Sequence, residues 1–242
     1  MIRPSGGPVW LEPRRLQAGG LARSAEGYPS LDELAQILSA LPTGPSRWIV
    51  DDLWAPALFL QDVVEIPRGT EAREAFFQWR YTQGLGLDGV QSVQALSVDG
   101  AWLLVGIPQT LLDPWIQVAT KLARPIASLV PRWLWLYNRL APFQDTPGML
   151  LSLSALGDGT YSGSLAAWGT SLSLIRQWTE PADPETWMQE RVLPTLAYLQ
   201  REGTSPQGLW IWGVPTEGGQ DWPSGPIAHH FLPPEFTSQE AF

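Results

Sequence analysis

The pattern of apolar runs, turns and helix caps restarts once along the chain, and that restart limits the fold more than any other feature. The first round opens with two short apolar strands, Pro8–Leu11 and Leu16–Ala22, with Glu12-Pro13-Arg14-Arg15 as the turn between them. A helix follows. Ser30 and Glu33 have the spacing of a capping box, and Leu31, Leu34, Ile37, Leu38 and Leu41 fall on one face before Pro42 and Gly44 end it. Strands are expected next at Arg47–Val50 and Ala57–Ile66. The second round begins after Pro142. Met149–Leu156, Ser162–Trp168 and Leu172–Trp178 read as consecutive strands, turned at Gly157-Asp158-Gly159 and at Trp168-Gly169. Asp183-Pro184 caps a helix over Glu185–Glu202, with Met188, Val192, Leu196 and Leu199 inward and a kink expected at Pro194. Leu209–Trp212 reads as the final strand, and the Gly-, Pro- and Ser-rich remainder reads as loop, His229-His230 included.

An insert at about 67–107 lengthens the first round. Its helix, Thr70–Gln83, is expected to carry Ala72, Phe76, Trp79 and Gln83 on one side and to stop at Gly84. Asp99-Gly100 between Ser92–Val98 and Ala101–Ile107 is a strong hairpin signal, because both turn positions need positive φ. A helix opening at Thr110 and Asp113 tolerates Pro114 in its first turn. Its apolar face of Leu111, Trp115, Ala119 and Leu122 lasts to Arg124. A strand near Ser128–Val130 and a helix over Trp133–Leu140 complete the round. Strands followed by a helix, twice over, predict an α/β protein with mixed sheets flanked by helices in two lobes, 1–142 and 143–242.

Most chemistries lack their residues. Without cysteine there is no disulfide framework and no thiolate site. Lys121 is the sole lysine, the net charge is −9, and the arginines form no run that could follow a phosphate backbone. Thr120-Lys121-Leu122 is not the Gly-Lys-Ser/Thr of a P-loop. The adjacent His229 and His230 point apart, with no third histidine to complete a zinc site. Ser162-Gly163-Ser164 does not fit a nucleophile elbow. Asp51-Asp52 and Asp62 could pair as glycosidase carboxylates, but adjacent strand residues face opposite ways, and solvated turn carboxylates are the simpler expectation. No catalytic, cofactor-binding or metal-binding residue is assigned. Met1–Pro8 lacks the apolar stretch of a signal peptide. Pro125–Pro142 is broken by Pro131, Arg132, Asn138 and Arg139, so it cannot span a bilayer. The chain is therefore expected to stay in the cytoplasm, where it is made, unless a partner holds it at a membrane. Its fourteen tryptophans are expected mainly in the core.

Several segments carry a resemblance. Glu71–Arg80 resembles the amphipathic helix of the PilM family of type IV pilus assembly proteins, Trp-Arg step included. Val90–Leu96 and Leu103–Ile107 are similar to that family's hairpin, Pro108–Ala123 to its next helix, and Leu129–Leu140 to the strand and helix closing its first lobe. Val192–Leu199 resembles the second-lobe helix before a strand ending in glycine, here Trp212-Gly213. The cytoplasmic domain of the type II secretion protein GspL is a more distant likeness. Both lie in the actin-like (sugar kinase, Hsp70, actin) superfamily, so the resemblance implies a two-lobed actin-like, ribonuclease H-like fold. It also implies a cytoplasmic scaffold that binds a PilN-like tail of an inner-membrane protein, lies at the inner membrane through that partner, and couples it to the motor ATPase.

The resemblance also sets up a contrast. The superfamily's first phosphate hairpin has the type Asp-x-Gly-x-x-x-x-Lys, and this chain has Leu11-Glu12-Pro13-Arg14-Arg15 there. The second should begin Asp-x-Gly, and the chain has Leu153-Ser154-Ala155-Leu156. The expectation is a pseudo-ATPase. The alternative is an ATPase or kinase with altered loops that uses Asp158 or Asp51 with a metal. For the partner surface, the aromatics of Thr70–Gln83 exceed what one buried stripe needs. Phe77, Trp79, Arg80 and Arg73 are the candidate contact residues, since Trp and Arg dominate interface energy.

Overall fold

The computed structural model describes residues 8–13, 15–18, 21–24, 29–61, 63, 65–140, 145–157, 159–181, 183–213 and 222–233. Arg14, Asp62 and Asp158 lie outside the described residues. The chain divides into two compact units, 1–131 and 132–242.

The first unit contains a five-stranded sheet in the order β3-β2-β1-β4-β8. Its strands are β1 (Val9–Glu12), β2 (Arg15–Ala18), β3 (Leu21–Ser24), β4 (Ser46–Val50) and β8 (Ile126–Pro131). The first three pair antiparallel, while β4 and β8 add on parallel to β1. Where one strand was expected over Leu16–Ala22 there are two, paired with each other. Helix α1 (Leu31–Ser39) starts at the predicted capping box: Ser30 Oγ accepts from Glu33 N–H, and the Glu33 carboxylate accepts from Ser30 N–H. Its Leu34, Ile37 and Leu38 pack on Val9, Leu11, Leu16, Trp48 and Val50 of the sheet. Each such side chain contributes about 1.5–3 kcal/mol.

Between β4 and β8 comes the insert. It comprises β5 (Ala57–Leu60), α2 (Thr70–Leu85), β6 (Gln91–Val98) and β7 (Ala101–Pro108), and α3 (Gln109–Lys121) follows it. Strands β5, β7 and β6 form a separate antiparallel sheet in that order. Asp99 and Gly100 make the predicted hairpin turn, both at positive φ (43° and 83°). Trp115 of α3 joins the main core, 6.1 Å from the Trp48 ring and 5.9 Å from Trp54. Because α3 begins at Gln109, Pro114 lies beyond the first turn, inside the helix.

The second unit repeats the sheet order. It runs β11-β10-β9-β12-β13, with β9 (Gly148–Ala155), β10 (Thr160–Trp168), β11 (Leu172–Pro181), β12 (Gly208–Trp212) and β13 (Ala228–Phe231). Again three strands are antiparallel and two add on parallel. Strand β13 corrects the expectation of a loop around His229-His230. It pairs with β12 through Gly208↔Ala228 to Ile211↔Phe231, so Leu209–Trp212 is not the last strand. The signal was weak because four residues, Ala-His-His-Phe, show no alternation of apolar and polar character.

Met149, Leu151, Leu153, Leu165, Leu209 and Ile211 face the helical layer. That layer is α5 (Pro184–Trp187), a π-helical turn (Met188–Val192) and α6 (Leu193–Arg201). The π turn ends just before Pro194, the residue at which a kink was expected and which lies in the first turn of α6. Pro194 has no N–H to donate, and the preceding Leu193 N–H reaches back five residues to Met188 O. Helix α4 (Arg132–Arg139), placed in the first lobe by the sequence, contacts β9 and β10 and belongs to the second compact unit. Among the described residues no helix is long and apolar enough to cross a membrane.

Candidate functional site

Three places hold the residues singled out above. The first is the turn between β1 and β2. Pro13 occupies it between the paired Glu12 and Arg15, and a proline offers no N–H to a phosphate. Asp51 follows β4 directly beside it. Its N–H donates to Leu11 O at 2.8 Å, and its carboxylate accepts from Leu53 N–H at 2.9 Å, which sets the turn after β4. Asp51 and Asp52 are both buried, as is Glu12, which corrects the expectation of solvated turn carboxylates. All three lie at the carboxyl ends of β1 and β4, the edge at which open α/β sheets place ligands. Among the described residues, no cluster of three or more His, Asp or Glu side chains has the arrangement to hold a metal.

The second place is the β9–β10 turn, where Leu156 N–H closes on Thr160 O at 2.9 Å and Gly157 and Gly159 take positive φ. The adjoining face of this sheet carries a residue that the sequence did not mark as a site. Arg132, at the start of α4, is fully buried. Its Nε donates to Ser152 Oγ at 2.8 Å, and its guanidinium lies 5.0 Å from the Trp212 ring centroid. The one available signal was an arginine following proline inside an otherwise apolar stretch.

The third place is α2. The sequence offered two aromatic stripes on this helix, and the expected one does not face the sheet. Phe77 and Tyr81 are buried, while Trp79, Arg80 and Arg73 are exposed. The sheet decides the choice. Trp102 of β7 meets Phe77 at 4.6 Å between ring centroids. Opposite Tyr81 stands Gly106, where even a Cβ would come within 2.6 Å of the ring. The Tyr81 hydroxyl sits between Pro56 O (2.8 Å) and Gly106 O (3.0 Å), and burial pushes its ionisation up. Phe77 is therefore core and cannot contact a partner. Trp79 is 55% exposed, the most open of the tryptophans. Its ring contacts half-buried Phe76 at 6.5 Å, and the Arg80 guanidinium lies 5.9 Å from its centroid. Arg73, Phe76 and Arg80 recur at i, i+3 and i+7, so they share one flank of the helix.

Two units with one sheet order, three antiparallel strands followed by two parallel ones, define an actin-like fold. Solved structures share it. A protein of Bacteroides thetaiotaomicron with an actin-like ATPase fold matches at a TM-score of 0.57 and 8% identity, covering 96% of this chain and 94% of that one. A chain of the PilM–PilN type IV pilus biogenesis complex matches at 0.64 and 13% identity, over 98% and 90%. The cytoplasmic domain of EpsL, an inner-membrane component of the type II secretion system of Vibrio cholerae, matches at 0.54 and 14%, over 96% and 92%. At these identities the likeness is one of fold. No protein-family model matches the chain, and no curated protein matches it by sequence.

Proposed function

We propose that this chain is a non-catalytic cytoplasmic scaffold of a type IV pilus or related secretion machine. In this reading it binds the cytoplasmic tail of a PilN-like inner-membrane assembly protein and lies at the membrane only through it, with the motor ATPase as a further partner. The observation that carries the reading is the exposed Trp79–Arg80 pair with Arg73 on α2, an aromatic and cationic surface that the core does not use. It stands on a fold shared with a chain of the PilM–PilN complex.

The test is titration of the chain with a synthetic cytoplasmic tail of a PilN-type protein. Binding is expected, weakened at least tenfold by Trp79→Ala without loss of folding. Unchanged affinity in that variant would remove α2 as the contact surface, and no binding at high concentration would remove the partner class.

A second reading, an actin-like ATPase or kinase with altered phosphate loops, draws on the buried Asp51 and Asp52 at the strand ends. Melting with Mg-ATP at millimolar concentration separates the two. The scaffold reading expects no shift, whereas a clear rise in melting temperature would overturn it.

A further inference from the structure

Six strands edge the three sheets, and five carry the features that discourage pairing with another chain. Strands β3, β5 and β13 have only four residues each. Strand β8 ends in Pro131 and pairs irregularly with β4, and β11 carries Arg176, Glu180 and Pro181 with a break in register at Ala167/Trp168. Strand β6 differs. It runs eight residues, Gln-Ser-Val-Gln-Ala-Leu-Ser-Val, with no charge and no proline, in unbroken register with β7. On its other side no strand pairs among the described residues, and Leu96 and Val90 beside that edge are exposed.

The surroundings of β6 are acidic. Gln78 of α2 donates to Gln91 O at 3.3 Å, so this flank of α2 lies over β6. Glu74 and Glu71 precede Gln78 by four and seven residues and share that flank, and both are exposed. Exposed Asp88 and Asp99 stand before and after the strand. Helix α2 thus sorts its charge, with Glu71 and Glu74 towards β6 and Arg73 and Arg80 on the other side.

We propose that the outer edge of β6 is a strand-addition site for an extended, basic segment of another polypeptide. Backbone hydrogen bonds to β6 would hold the segment, and alternate cationic side chains would meet Glu71 and Glu74. A second copy of this chain fits poorly. Pairing two β6 edges would bring four of these carboxylates together on chains of net charge −9. The site is distinct from the Trp79 surface and does not rest on it.

Two alternating octapeptides test the proposal, (Arg-Val)4 and (Glu-Val)4, with a third in which the central valines of (Arg-Val)4 are proline. Hydrogen exchange and fluorescence anisotropy are read on the whole chain. The expected result is slowed exchange at Gln91–Val98 with (Arg-Val)4, at least tenfold weaker binding of the other two, and a severalfold loss in the Glu71→Gln, Glu74→Gln double variant, whose unchanged circular dichroism reports an intact fold. Protection elsewhere, equal binding of the proline peptide, or no binding at millimolar peptide would overturn it. So would concentration-dependent protection of β6 without peptide, which would assign the edge to a second copy. None of these outcomes depends on Trp79→Ala, so the two proposals fail separately.

Discussion

Phe77 and Trp79 are two residues apart on one helix, and their environments give them opposite roles. Phe77 packs on Trp102 in the core of the insert, so Phe77→Ala is expected to cost about 3–5 kcal/mol, read as a fall in the urea midpoint. Trp79→Ala is expected to stay within about 0.5 kcal/mol, as exposed positions generally do. Arg132 presents the reverse case, a charged residue whose importance is structural. Replacing it with Ala removes its hydrogen bond to Ser152 Oγ and takes a buried guanidinium from the Trp212 ring. A loss of about 2–3 kcal/mol is expected, measured by chemical denaturation. A mild effect would mean that α4 does not depend on this anchor.

At the scale of elements, β12 and β13 hold the second sheet's parallel half. Gly213 ends β12 at φ 87°, and a Cβ there would overlap the Leu153 carbonyl of β9. Gly213→Ala is therefore expected to destabilise by at least about 2 kcal/mol, combining left-handed strain with overlap. A native-like melting temperature for that variant would show that the chain can slide at this point. Strand β13 carries His229, whose pKa is lowered, first by burial and then by His230 beside it. A histidine lowered on folding favours the neutral form, so its contribution is intact above the unfolded value of about 6.5 and is lost as pH falls below it towards the folded value. Melting curves from pH 7.5 to 5 should show this decline, and His229→Gln should flatten it. An identical slope in the variant would place the pH dependence elsewhere.

For the whole molecule, eleven of the fourteen tryptophans are buried. Acrylamide should therefore quench only a minor part of the native emission, and Trp79→Phe should remove most of that part. Full quenching of the native chain would contradict the burial pattern. The doubled sheet order also explains how a sequence without a recognisable catalytic motif still points to an actin-like fold, because the order of strands and helices survives when loop residues change.

What the sequence determined by itself was local and periodic. It specified the capping box at Ser30 and Glu33, the Asp99-Gly100 turn, the spans of most strands, and the strands-then-helix order in each half. Backbone propensity and side-chain period decide these within a dozen residues. It did not decide which stripe of α2 faces inward, since the helix is aromatic on more than one side. Gly106 and Trp102, more than twenty residues away, made that choice. Nor did it show β13, the burial of Asp51 and Asp52, or the anchoring of α4 by Arg132. Each depends on contacts between segments distant in sequence, where packing and hydrogen bonding across a sheet outweigh local preference. Tertiary structure alone therefore separated Phe77, a core residue, from the Trp79 and Arg80 surface available to a partner.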